Sequence, residues 1–152
     1  MKRFKKIAKW TGIILLFIVV ALTALTATRQ DLRFEAPYPN IKASTDTAII
    51  AEGKHLVYSM AHCADCHSNQ NTDSLAQLGI EPTLSGGRKF AFELGNFYSR
   101  NITADEETGI GKLTDSEIAR TLYYGVNSKG QTMIDFMPFH NVSEEHMTAI
   151  IS

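Results

Sequence analysis

A chain of 152 residues has room for one compact domain, and for less than that once its charge-free early stretch is set aside. The formal net charge of -1 hides a split: Lys2, Arg3, Lys5, Lys6 and Lys9 precede the apolar stretch, whereas from Arg29 onward ten basic residues face sixteen acidic ones, near -6. That acidic balance excludes a nucleic-acid-binding role and favours a basic partner surface.

Residues 10–28 (WTGIILLFIVVALTALTAT) carry no charge, and nineteen helical residues span roughly 28 Å, enough to cross a bilayer. Five basic residues before the run, against the mixed Arg29, Asp31 and Arg33 after it, predict a cytoplasmic N-terminus and an external domain. A cleaved secretory signal is the competing reading. Its apolar region is usually about 7–15 residues and ends in a small-x-small site, and Leu25 spoils the site before a cut after Ala27. The expectation is a basic tail and retained transmembrane anchor over 1–28.

Residues 29–44 (RQDLRFEAPYPNIKAS) contain Pro37 and Pro39 and no sustained periodicity, which predicts an extended linker. The remaining residues, 45–152, make the domain. Ile49, Ile50, Leu56 and Val57 sit at approximate helical spacing over 46–58, with Thr45 or Asp46 as N-cap. Residues 68–101 are rich in Ser, Asn and Gly and read as a long structured loop that needs something to wrap around. Thr114 and Glu117 form a capping-box pair leading into Ile118, Ala119, Leu122 and Tyr123, and Gly125 stops that helix. Ser143 caps a last segment, EEHMTAII, which reaches Ser152 with no stop signal, so the terminal helix is expected to be incomplete.

Cys63-Ala64-Asp65-Cys66-His67 is C-x-x-C-H, the attachment pattern for c-type haem. Thiols three apart lie on one side of a helical turn, where they can add to the two vinyl groups of a haem, and the next residue, His67, can then present its imidazole to the iron. A thioredoxin-like redox pair needs a βαβ setting that the sequence lacks. Zinc needs four ligands and would have to recruit scattered histidines. A plain disulfide leaves the adjacent histidine unexplained. For the second axial position the candidates are Met60, Met133, Met137, Met147, His55, His62, His140 and His146. Met60 and His62 are too close to Cys63 to reach around the ring. Met137 lies about seventy residues beyond the cysteines, beside Pro138, whose fixed backbone helps hold a thioether. Core filling is the commoner use of a methionine, and composition alone leaves that reading of Met137 ahead. Arg88, Lys89, Arg100 and Arg120 read first as solvated charges, with haem propionates as possible partners. Phe90, Phe92, Phe97, Tyr98 and Tyr123 read as core and haem packing.

Gly53-Lys54-His55-Leu56-Val57, the C-x-x-C-H motif, Phe97-Tyr98-Ser99-Arg100-Asn101-Ile102-Thr103, Thr108-Gly109-Ile110-Gly111, Gly125-Val126 and Met137-Pro138-Phe139 follow one another in an order that resembles class I c-type cytochromes. The resemblance covers 46–151 and is strongest to the cytochrome c domains in membrane cytochrome subunits of bacterial alcohol and sugar-acid dehydrogenases. It implies an all-α cytochrome c fold wrapped around one covalent haem c, preceded by one transmembrane helix. It also implies Met137 as the sixth ligand opposite His67, and Asn101, Ile102, Thr103 and Pro138 beside the haem. The function implied is a non-enzymatic electron carrier on the periplasmic side of a bacterial inner membrane, serving redox proteins or a larger membrane oxidoreductase. The alternative is a haem enzyme or sensor with a displaceable axial ligand. Two departures stand out. Those subunits commonly carry three haems, and this chain has one C-x-x-C-H. Family domains also close with a C-terminal helix whose aromatic residue packs near the glycine corresponding to Gly53. No such aromatic occurs here before Ser152, so the expectation is an incomplete helix or a weak crossing.

Overall fold

The computed structural model describes residues 2–93, 95–133, 136, 137 and 139–152. It divides into two compact units, Met1–Phe34 and Glu35–Ser152.

The first unit is one helix, α1 (Lys2–Arg29). Its stretch Arg3–Arg29 has a mean hydropathy of 2.3 and is long and apolar enough to cross a membrane. Three of the four threonines in the apolar run pair their hydroxyls within the helix. Thr23, Thr26 and Thr28 donate back to the carbonyls of Val19, Leu22 and Leu25 at 2.8, 2.9 and 2.9 Å. In a hydrocarbon environment that internal pairing removes most of the cost of each hydroxyl.

In the second unit four of the helices start where a side chain accepts one of the first free amides. Asp46 caps α2 (Thr47–His55) by accepting from the Ala48 amide at 2.7 Å. α2 then widens into a π-helical turn, Leu56–Met60, before the single-turn α3 (Cys63–His67). Asn71 caps α4 (Thr72–Gln77). The expected capping box is present on α5 (Asp115–Tyr124), where Thr114 and Glu117 bond reciprocally and Gly125, at φ +62°, ends the helix. Ser143 caps α6 (Glu144–Ile151).

The domain is mostly helical, but the all-α expectation needs correction. Strands β1 (Lys89–Phe92) and β2 (Gly95–Tyr98) pair antiparallel, with Phe90 opposite Phe97. They and α4 occupy the stretch read from sequence as a loop. Four-residue strands are too short for periodicity to announce them.

Residues 32–46 form no helix or strand, yet Ile41 is buried with Ala119 and Met147 in the core cluster, against which Leu122, Tyr123, Phe139, Val142 and Ile151 pack. Arg120, read as a solvated charge, is 3% exposed. Its guanidinium donates to the Ala36 and Asn127 carbonyls and the Tyr38 hydroxyl at 3.1, 3.0 and 3.0 Å and lies 4.5 Å from the Tyr38 ring centroid. The Ala43 amide donates to the Asp115 carboxylate at 2.8 Å. The second half of the stretch is therefore bound to the domain, because a buried cation and an isoleucine both need it there.

α2 and α6 cross at Gly53. A Cβ on that residue would fall 1.8 Å from the Ala149 carbonyl oxygen, so the two backbones touch there. The crossing is close, not weak. In an open helix Gly53→Ala would stabilise by about 1 kcal/mol through helix propensity. Here the sign should reverse. Forcing the helices apart costs roughly 1–3 kcal/mol, enough at mid-range to outweigh that gain, and thermal melting of the protein should drop by about 4 °C. A variant melting at or above the parent would show that α6 does not close on α2 this tightly.

Candidate functional site

The C-x-x-C-H motif is a helical turn reached through an uncommon backbone angle. His62 adopts φ +50°, the only positive φ outside glycine among the described residues, and caps α3 while its Nδ1 lies 3.0 Å from Asp65 Oδ2. The turn puts Cys63 and Cys66 on one side. The two thiols are not bridged; Cys63 is half-buried and Cys66 exposed. Burial pushes the Cys63 thiol up to about 11, only partly offset by a backbone hydrogen bond. A dithiol built for exchange is tuned in the opposite direction. Among the described residues no three His, Cys, Asp or Glu side chains come together.

His67 is fixed by two backbone contacts. Its Nδ1 lies 2.8 Å from the Arg100 carbonyl oxygen, and its own carbonyl accepts from the Gly86 amide at 2.7 Å. A carbonyl can only accept, so Nδ1 carries the proton and Nε2 keeps its lone pair, which is the tautomer an iron ligand requires. The sequence reading missed the Arg100 carbonyl. A main-chain acceptor leaves no mark on residue type.

The loop after Arg100 is braced from within. Asn101 Oδ1 accepts from the Thr103 amide and hydroxyl at 2.9 and 2.7 Å, and its Nδ2 donates to Thr108 Oγ1 at 2.8 Å. Asp105 accepts from the Thr108 amide, the Thr108 hydroxyl and the Glu107 amide at 2.6, 2.8 and 3.1 Å. These bonds, the Thr108 amide foremost, hold its carboxyl below the usual range. The Ile102 amide donates to the Leu84 carbonyl at 3.0 Å. Gly109 is required, since a Cβ there would fall 2.3 Å from the Thr103 carbonyl oxygen. The polar side chains of Asn101 and Thr103 thus build the loop whose leading carbonyl orients His67.

The axial candidates separate by position. Met147 is fully buried in the α5–α6 core and is a core filler. Met60, on the π turn, is 71% exposed. His146 lies 3.5 Å from Glu52. Met133 is half-buried, its amide donating to the Gly125 carbonyl at 2.8 Å. Met137 is half-buried too, its carbonyl accepting from the Phe139 amide at 2.9 Å; Pro138 lies outside the described residues. Phe136, the neighbour of Met137, stacks on Phe92 with centroids 6.0 Å apart.

The rest of the domain fits a large apolar group. Its buried hydrophobic residues, among those described, are Ile41, Leu56, Ala64, Ala119, Val126, Met147 and Ala149, whereas Met60, Leu78, Phe92, Phe97 and Phe136 are exposed. Three alanines in so short a core leave little apolar surface removed from water, and the exposed aromatics sit on elements tied to the motif.

No family model matches the chain. Curated relatives do. The gluconate 2-dehydrogenase cytochrome c subunit of Pantoea cypripedii is 32% identical over 106 residues, covering 68% of this chain and 22% of the relative. The fructose dehydrogenase cytochrome subunit of Gluconobacter japonicus is 29% identical over 117 residues, 77% of this chain and 22% of the relative. The cytochrome c subunit of the alcohol dehydrogenase (quinone) of Gluconacetobacter polyoxogenes is 30% identical over 108 residues, 69% and 21% of the two chains. The chain therefore spans about a fifth of the length of the relatives it matches.

Proposed function

With cytochrome c subunits of bacterial gluconate, fructose and alcohol dehydrogenases as its homologues, the chain is, we propose, a membrane-anchored electron relay that holds one covalent haem. Haem supplies a one-electron change at iron; the protein supplies attachment, orientation and access. Cys63 and Cys66 would form two thioethers to the haem. His67 would bind the iron through Nε2 and Met137 through its sulfur, and the loop of Asn101, Ile102 and Thr103, with Pro138 next to Met137 in sequence, would shape the surroundings. The observation that carries this reading is the bond from His67 Nδ1 to the Arg100 carbonyl, because it leaves the correct nitrogen bare next to two thiols on one helical face.

A relay needs both axial positions filled, so that iron changes oxidation state with little ligand movement; an open or displaceable position would mark the alternative, a haem enzyme or sensor. α1 is read as a retained anchor in a bacterial inner membrane, and the basic residues before the apolar run favour the haem domain lying on the periplasmic side. Partners are redox proteins or a larger membrane oxidoreductase. The acidic balance beyond the anchor favours a basic docking face on them.

Attachment is tested directly. After denaturing electrophoresis the parent chain should stain for haem-dependent peroxidase activity, and the Cys63→Ala, Cys66→Ala double variant should not stain at all. Haem that leaves the parent in acidified organic solvent would sink the covalent reading.

A further inference from the structure

One face of the hairpin is aromatic. Register pairs Phe90 with Phe97, and alternation along β1 puts Phe92 on the same side of the ribbon. Phe92 meets Phe97 edge to face, with centroids 5.3 Å apart. Phe136 comes from outside the hairpin and closes on this face, nearly parallel to Phe92 (6.0 Å, 14°) and to Phe90 (6.3 Å, 25°). These separations are those of interacting rings. Yet Phe136 is 58% exposed, and Phe92 and Phe97 are 46% and 49% exposed, so the stack is not part of the buried core.

The hairpin is tied at its base to the other end of the site. The Gly87 amide donates to the Ser99 carbonyl at 2.9 Å, the Ser99 amide to the Arg88 carbonyl at 3.0 Å, and the next carbonyl, that of Arg100, accepts from His67. One ribbon therefore holds His67 at its base and, on its aromatic face, the residue preceding Met137. We propose that this aromatic ladder is a latch: Phe136, seated on Phe90 and Phe92, is a positioning residue that keeps Met137 on the haem iron. This rests on the assignment of Met137 as axial ligand. Opening the latch frees Met137 while leaving His67 and both thioethers in place, which converts a closed relay site into one that admits an external ligand.

The test uses the full haem-loaded chain and two readouts, the near-infrared sulfur-to-iron band of the oxidised protein and carbon monoxide binding by the reduced protein. Phe136→Ala should retain covalent haem, lower the ratio of ligated to free Met137 about tenfold, weaken the band and admit carbon monoxide. Phe92→Ala, which removes the other half of the stack from an exposed strand position, should do the same, and Phe136→Tyr should restore the parent behaviour. Asn96→Ala, at an exposed position on the opposite face of β2, should change neither readout. If Phe136→Ala and Phe92→Ala keep the band and still exclude carbon monoxide, the latch is wrong while the Met137 assignment stands. Equal loss in Asn96→Ala would also overturn it, since general loosening of the hairpin would then be the cause. A parent protein that lacks the band and binds carbon monoxide would remove the axial assignment, and the latch with it.

Discussion

Replacing Met137 by alanine will open the iron to carbon monoxide, abolish the sulfur-to-iron band and lower the reduction potential. A thioether stabilises ferrous over ferric iron, so its loss favours the oxidised state. The fall should be on the order of 100 mV, a modest part of the roughly 0.8 V over which axial ligands move haem potentials. Two other methionines serve as controls with different expected outcomes. Met133→Ala should leave band, potential and ligand exclusion intact. Met147→Ala should leave the spectrum intact but cost about 2–5 kcal/mol of stability, because that side chain is fully buried between α5 and α6. Spectroelectrochemical titration and equilibrium unfolding separate the three. Should the parent protein already bind carbon monoxide readily, or turn over peroxide at enzymatic rates, the open-site alternative would replace the relay.

Preventing haem attachment should unfold the domain, and this is the largest effect on stability expected for the chain. In the Cys63→Ala, Cys66→Ala variant the helices of Glu35–Ser152 must rely on a core in which Ile41, Leu56, Val126 and Met147 are, among the described residues, the buried aliphatic side chains larger than alanine. Small domains with so little buried apolar surface depend on a cofactor, a metal or disulfides, and this one has no disulfide. Far-ultraviolet circular dichroism should fall to the contribution of α1, and limited proteolysis should remove everything beyond it. A variant that kept the parent's helical signal and protease resistance would show that the protein core suffices without haem.

The parts of this protein that were legible in the residue order are those whose cause lies within a few positions. The caps Asp46, Thr114 with Glu117, Gly125 and Ser143 act across one turn, and each stands where its residue type placed it. The apolar length of α1 and the C-x-x-C-H spacing are local in the same sense. Other features depend on segments far apart in the chain. The His67 tautomer is set by a carbonyl 33 residues away. Arg120 reads as a surface charge until it meets Ala36 and Tyr38, 84 and 82 residues distant. Gly53 gives no hint of Ala149, yet a single Cβ decides whether α2 and α6 can touch. The aromatic face of β1 and β2 is hidden in strands of four residues, where alternation is too brief to distinguish a ribbon from a loop. Local chemistry therefore determined which side chains the C-x-x-C-H turn brings together. Tertiary packing decided how those groups are aimed, because backbone acceptors, close helix crossings and ring stacks exist only after distant segments meet.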